Sequence, residues 1–250
     1  MRKTSTTSQS PVSALLFCVL ALAVLPSRAG AEEETSSPVV VELFTSQACS
    51  SCISANKYFR ELTGRGDLVA LSWHVDYWNQ LPTRNGRWED PYSSAANTLR
   101  QRDYNKKIRH RSSVYTPQMI VAGSNEAIGS ARHKVSTLID EEITANKAGI
   151  ISARKDGDKI LFTVTKCEKD AEAFLVTFLP DVKTNVIRGE NAGHAFREKN
   201  VVTAITALGA APSSGATFTA TAPEEGYGCA LIIQEPGQGR ILAARYCPTR

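Results

Sequence analysis

Val39-Val40-Val41-Glu42-Leu43-Phe44, Thr45-Ser46-Gln47-Ala48 and Cys49-Ser50-Ser51-Cys52 follow one another without a break. The first segment is a β-branched, nearly continuous apolar run, which reads as a strand buried on both faces of a parallel sheet. The second is a polar turn. The third opens a helix, because Ala55, Phe59 and Leu62 recur at helical spacing and Gly64 can end it. A sulfur at the first turn of a helix sits among unpaired N–H groups at the positive end of the helix dipole. A thiolate is stabilised there, so the Cys49 pKa is expected to lie below the free value of about 8.5. Cys52, one turn further on, is placed to resolve a mixed disulfide.

Working outward, residues 68–73 form a second apolar strand, and residues 75–92 hold Pro82, Asn85-Gly86 and Pro91, which predicts a long loop. A polar helix is expected over 93–109. A strand opens after Thr116-Pro117, Ser124-Asn125 makes a turn, and a helix follows whose apolar face is Val135, Leu138, Ile139 and Ile143. The expected order is β-α-β, α, β-β-α. From residue 148 the pattern becomes one of short strands, at 150–153, 160–165, 172–179, 184–188, 200–207, 216–221, 229–234 and 241–246. Asp156-Gly157-Asp158 is a hairpin signal between the first two. The fold class expected is an α/β N-terminal domain over residues 32–147 and an all-β, sandwich-like domain over 148–250.

Residues 1–31 read as a secretory signal peptide: Arg2 and Lys3, twelve apolar residues from Ala14 to Leu25, then Ala29-Gly30-Ala31 before three glutamates. Twelve apolar residues are short for a membrane span, so a periplasmic or extracellular protein without a membrane anchor is expected. Lys and Arg exceed Asp and Glu by 29 to 25, but Arg2, Lys3 and Arg28 belong to the leader. The remainder is close to neutral, which gives no reason to expect a nucleic acid partner. In an oxidising compartment the cysteines read as disulfide formers. Cys18 leaves with the leader. Counting outward from Glu235 opposite Ile241 sets Cys229 opposite Cys247, within bonding reach. Cys167 is then the odd thiol, with its pairing to Cys229 or Cys247 the alternative.

A strand that opens directly after a proline, in this order of elements, suggests that Thr116-Pro117 is cis and faces the cysteine pair. A backbone exposed there can pair with an extended substrate. The set Val41-Glu42-Leu43-Phe44-Thr45-Ser46-Gln47, Cys49-Ser50-Ser51-Cys52, His74-Val75-Asp76-Tyr77-Trp78, Arg100-Gln101, Tyr115-Thr116-Pro117-Gln118, Arg188-Gly189-Glu190-Asn191-Ala192-Gly193 and Asn200-Val201-Val202 resembles a family of secreted thioredoxin-like proteins of unknown function. The resemblance implies a thioredoxin-like N-terminal domain. Ile53-Ser54 and Ala48 depart from it, where proline and glycine are usual.

The expected activity is thiol–disulfide exchange with a cysteine-containing polypeptide or a redox partner protein. Cys49 attacks, Cys52 resolves, and Glu42 is a candidate to take the Cys52 proton, against an equal case for a structural carboxylate paired with a base. Thr116, Pro117, His74, Asp76, Tyr77 and Trp78 are the candidate substrate-contacting residues. His74 and Asp76 read as an oriented pair, Trp73 as core, and Trp78 or Trp88 as the wall of a groove. The basic run Lys106-Lys107-Ile108-Arg109-His110-Arg111 reads as a solvated helix end. No cofactor is called for. Cys49, Cys52 and His74 supply at most three ligands, fewer than a closed zinc site needs. The alternatives are a binding module whose Cys49–Cys52 bond is structural, and a copper-handling protein using two thiolates and an imidazole.

Overall fold

The computed structural model describes residues 1–6, 37–145 and 150–248. The expected leader cleavage site, Cys18 and the expected domain boundary at 147–148 lie outside these residues. The fold is mixed α/β and is dominated by one large sheet.

The elements in chain order are β1 (Val39–Thr45), α1 (Cys52–Leu62), β2 (Leu68–His74), α2 (Ala95–Ile108), β3 (Gln118–Val121), β4 (Asn125–Ile128) and α3 (Arg132–Ala145). They continue with β5 (Ile151–Asp156), β6 (Lys159–Val164), β7 (Ala171–Asn185), β8 (Ala195–Ala211), β9 (Ala216–Thr221), β10 (Gly228–Gln234) and β11 (Ile241–Tyr246). β1 and β2 are parallel, and β3 runs antiparallel to β1 with Leu43 opposite Met119. The large sheet has the order β11-β10-β7-β8-β2-β1-β3-β4, and β5-β6-β9 form a small second sheet.

Every residue of β1 and β2 is buried, because both faces of the sheet are covered there. Val39, Val41 and Leu43 pack with Ala55, Phe59 and Leu62 of α1 and with Val135 and Ile139 of α3. Val40 and Phe44 face the other way, with Trp73 and Tyr104. α2 covers that second face although its sequence is polar: it buries Asn97, Thr98, Arg100, Gln101, Tyr104 and Asn105, so hydrogen bonds and charge hold it more than apolar area does. Ser94 caps it by accepting from the Asn97 N–H at 3.1 Å.

The strands after residue 150 do not make a separate sandwich. β7, β8, β10 and β11 extend the first half's sheet, and β8 lies directly beside β2 with Val201 paired to Ser72. Among the described residues only β5-β6-β9 form a second layer, with Phe162 and Phe218 packed near Leu231 and Ile233 of β10. The expected short strands at 172–179 and 184–188 are one strand, β7. Pro180 does not break it, because pairing with β10 has already ended at Phe178, so no partner there requires its missing N–H. On the opposite arm Asn200 takes a left-handed backbone, φ 48°, between the Leu179–Val201 and Asp181–Lys199 pairs. Beyond that point β7 and β8 continue as a two-stranded ribbon whose tip spans residues 186–194.

Candidate functional site

Cys49 and Cys52 are joined as a disulfide across the start of α1, with Cα atoms 5.4 Å apart. The turn before them is built by Ser46, whose carbonyl accepts from the Cys49 N–H at 3.2 Å and whose hydroxyl accepts from the Ala48 N–H at 3.1 Å. The Ser51 hydroxyl lies 3.3 Å from the Cys49 sulfur. Both cysteines are buried, Cys49 at 1% and Cys52 at 0% exposure.

Thr116-Pro117 is cis, as the sequence suggests. Pro117 and Ala55 of α1 both border Gly129: the Cβ of each lies 3.2 Å from where a side chain on Gly129 would begin. Trp78 donates from Nε1 to the Thr116 hydroxyl at 2.7 Å, and its ring lies 6.2 Å from that of Tyr77. Gln101 donates to the Tyr115 carbonyl at 2.7 Å and accepts from the Tyr77 hydroxyl at 3.2 Å, so the Arg100-Gln101 segment fixes the approach to Pro117. Trp73 is in the core against Phe44. Trp88 is half-buried and donates to the Gln47 side chain at 3.3 Å. A polar cleft of about 720 Å³ runs beside Asp76, Tyr77, Gln80 and Glu89.

Glu42 is not beside Cys52. Adjacent residues of a strand face opposite ways, and position 42 points to the α2 face while α1 covers Leu43. Its carboxylate receives Arg100 Nε at 2.8 Å and the Tyr104 hydroxyl at 2.5 Å. Burial disfavours the Arg100 charge, but Glu42 and Tyr104 beside it raise its pKa. Burial lifts Tyr104 well above the usual phenol range. Glu42 is therefore the structural carboxylate of an ion pair.

His74 and Asp76 are not a pair either. Asp76 accepts from the Thr98 hydroxyl at 2.6 Å, turned toward α2. His74 is on the α1 face, with Nδ1 2.7 Å from Asp90 and Nε2 3.5 Å from Glu198. Burial pushes the His74 pKa down, but Asp90 and Glu198 outweigh it and bring it to about 9. Burial pushes Asp90 up, but the His74 charge and hydrogen bonds from His74, Gln47 and Tyr92 leave it lowered. Burial raises Glu198. With both ring nitrogens facing carboxylates, His74 does not join the two sulfurs in a ligand set.

Two residues that sequence reasoning missed tie this cluster to the cysteine turn. Glu198 accepts from Gln47 Nε2 at 2.7 Å and from Asn56 Nδ2 at 3.1 Å, and Asn56 is one helical turn from Cys52. Asp90 accepts from the Gln47 N–H at 2.7 Å. The ribbon tip closes the other side. Asn191 donates to the Gln47 carbonyl at 2.8 Å, and Glu190 accepts from the Ser50 N–H at 3.3 Å. The motifs Arg188–Gly193 and Asn200–Val202 are the available sequence signal, since one forms the ribbon tip and the other its base.

Cys229 and Cys247 form the second disulfide, Cα atoms 5.3 Å apart, at the pairing the sequence count gives. The turn itself is tighter than counted: Glu235 pairs with Arg240, and a bulge at Ile233/Gln234 restores the register. Cys167 is free and buried, and burial raises its thiol pKa. The basic run ends α2, where Lys106 pairs with Asp103 and Lys107 donates to the Pro236 carbonyl. Among the described residues no helix is long and apolar enough to cross a membrane.

Protein AGR_C_4864 from Agrobacterium tumefaciens, known from an X-ray crystal structure, is similar over 85% of this chain and 94% of its own, with TM-score 0.73 and 26% identity. HBP35 of Porphyromonas gingivalis shares the fold at TM-score 0.59 and 15% identity, over 84% of this chain and 74% of its own. No curated protein matches. Residues 40–234 match the family described as "Protein of unknown function (DUF1223)", and the chain belongs to that family.

Proposed function

We propose that this DUF1223 protein is an exported thiol–disulfide oxidoreductase acting on cysteine-containing polypeptides, with a thioredoxin-like first half. The observation that carries the reading is the Cys49–Cys52 disulfide at the start of α1 together with a cis Thr116-Pro117 bond whose proline borders Gly129, as does Ala55 of α1. The parallel β1-α1-β2 unit with β3 and β4 antiparallel beside it supports the thioredoxin-like arrangement. Two disulfides support an oxidising compartment.

In this mechanism a client thiolate attacks the Cys49 sulfur, forming a mixed disulfide and releasing the Cys52 thiolate. A second client thiolate then displaces Cys49, so the client is oxidised and the pair reduced. The reverse sequence reduces a client disulfide. The Ser51 hydroxyl, 3.3 Å from the Cys49 sulfur, and the N-terminal amides of α1 stabilise the Cys49 thiolate. Thr116, held by Trp78, offers backbone to the client chain.

The test is a Cys52→Ser variant exposed to a periplasmic or secreted protein extract. Client polypeptides should remain bound to Cys49 through bonds that dithiothreitol releases, and the unaltered protein should catalyse insulin reduction by dithiothreitol. The absence of both adducts and catalysis would overturn the proposal. The burial of both sulfurs favours a second reading, a binding module with a structural bond. A potential below about −300 mV would support that reading over catalysis.

A further inference from the structure

A nucleophile must approach a disulfide sulfur in line with the bond it breaks, and Cys49 at 1% exposure offers no such path. The β7–β8 ribbon tip hydrogen-bonds to the chain on both sides of Cys49, at Gln47 and Ser50. The β7–β8 ribbon tip is closed at its base by two hydrogen bonds between Val186 and the residues opposite it, His194 O at 3.0 Å and Gly193 N at 2.7 Å. Beyond that base, residues 187–192 rest on the rest of the protein through a few discrete contacts. Asn191 is buried on the Gln47 carbonyl, Glu190 is exposed and holds the Ser50 N–H, and the Gly189 N–H donates to the Asn85 carbonyl at 3.2 Å. Gly189, at φ +81°, presses on Trp88: a side chain there would meet the Trp88 Cβ at 2.9 Å. Ile187 beside it is 72% exposed, so no apolar anchor holds this part of the tip down.

Resting on the oxidoreductase reading of the same site, we infer that the Gly189–Asn191 tip is a lid over the Cys49–Cys52 disulfide, and that lid opening sets how fast the pair reacts. The anchoring contacts are polar and can be exchanged for water, whereas the ribbon arms keep their strand pairing when the tip lifts. The lid comes from the second half of the chain and the cysteines from the first, which gives the β-rich half a specific role at the site: a client reaches Cys49 only after displacing residues 189–191.

The experiment uses the full mature chain and dithiothreitol as the probe. Its first thiolate forms a mixed disulfide with Cys49, its second closes the cyclic disulfide, and two electrons pass to the cysteine pair. The rate is read by trapping the freed thiols with a maleimide and locating the modified cysteines by mass spectrometry. Asn191→Ala should accelerate reduction of Cys49–Cys52 about tenfold, and Glu190→Ala by a few-fold, as expected for losing one hydrogen bond each. Gly189→Ala, which forces the tip off Trp88, should give the same direction by an independent route. The Cys229–Cys247 bond in the same molecules is the internal control for folding and should keep its rate. Unchanged Cys49–Cys52 rates in all three variants, or equal acceleration of both disulfides, would overturn the lid. Insulin reduction is scored separately. Faster dithiothreitol reduction with no insulin turnover keeps the lid and removes the oxidoreductase, and insulin turnover with unaltered rates does the reverse.

Discussion

Two buried charge clusters lie on opposite faces of the same pair of strands. On the α2 face, Glu42, Arg100, Tyr104 and Gln234 form a closed set. Glu42 takes both Arg100 and Tyr104, Arg100 also reaches Tyr104 at 2.8 Å and Gln234 at 3.2 Å, and Gln234 donates to Tyr104 at 2.9 Å. On the α1 face, His74, Asp90 and Glu198 are drawn from β2, the long loop and β8. His74 Nε2 and the hydroxyls of Thr45 and Ser72 have no hydrogen-bond partner among the described residues. Register puts Thr45 opposite His74, one pair along from Ser72 on that face. A closed set rigidifies a core. The open one lies under the cysteine turn, where its partners Gln47 and Asn56 connect it to α1. Burial of ionisable groups alone therefore does not separate a self-satisfied cluster from one that reaches the proposed site. The difference lies in how completely the groups satisfy each other and what else they touch.

The largest difference between the two faces should follow from removing one charge of the closed set. Glu42→Gln leaves Arg100 buried without its carboxylate, and an uncompensated buried charge costs about 3–5 kcal/mol. Denaturant unfolding should show that loss, while the Cys49–Cys52 reduction potential stays where it is in the unaltered protein. A shift in the potential beyond about 30 mV, equivalent to 1.4 kcal/mol, would mean that the two faces are coupled.

The second prediction concerns pH. His74 titrates near 9 in the folded chain against about 6.5 unfolded. Its contribution to stability is fully present below pH 6.5 and is lost as pH rises through 9. Asp90 is shifted the other way, so its contribution is present above the usual carboxylate range and fades in acid. The melting temperature should accordingly fall by several degrees between pH 6.5 and 9. On the α2 face Arg100 and Tyr104 are both raised, so that cluster contributes no titration in this window. His74→Asn should remove most of the slope, and a slope that survives would assign it elsewhere.

How much of this was legible in the sequence depends on whether the information is local. The run of Val39 to Phe44 and the helical spacing of Ala55, Phe59 and Leu62 state β1 and α1 directly, because periodicity reports burial. The Cys229–Cys247 pairing was legible by counting register from the turn, but only because the bulge at Ile233/Gln234 offsets a turn one residue tighter than counted. Glu42 was not, since a strand buried on both faces shows no alternation that tells which helix covers which parity. The partners of His74 lie sixteen residues away at Asp90, across an irregular loop, and at Glu198 on the far ribbon. No period links them. The joining of both halves into one sheet was hidden by Pro180 and Asn200, which signal a break locally but sit where pairing on one side has already ended.

Glu198→Gln should give the smallest loss of stability. The amide keeps the side chain's shape and can still accept from Asn56, while the bond from Gln47 is compromised, so at pH 6 the loss should be about 1 kcal/mol, well below that of the same substitution at Glu42. Its effect should appear in the pH profile instead. Glu198 is one of the two carboxylates that raise His74, so without it the imidazolium releases its proton at lower pH. The alkaline fall in melting temperature should then end at lower pH and be smaller in total than in the unaltered protein, an outcome read by differential scanning calorimetry across pH 6–10. If the profile keeps its position while overall stability drops by several kcal/mol, Glu198 belongs with Glu42 as a structural charge, and the open cluster is a closed one with its bonds drawn long.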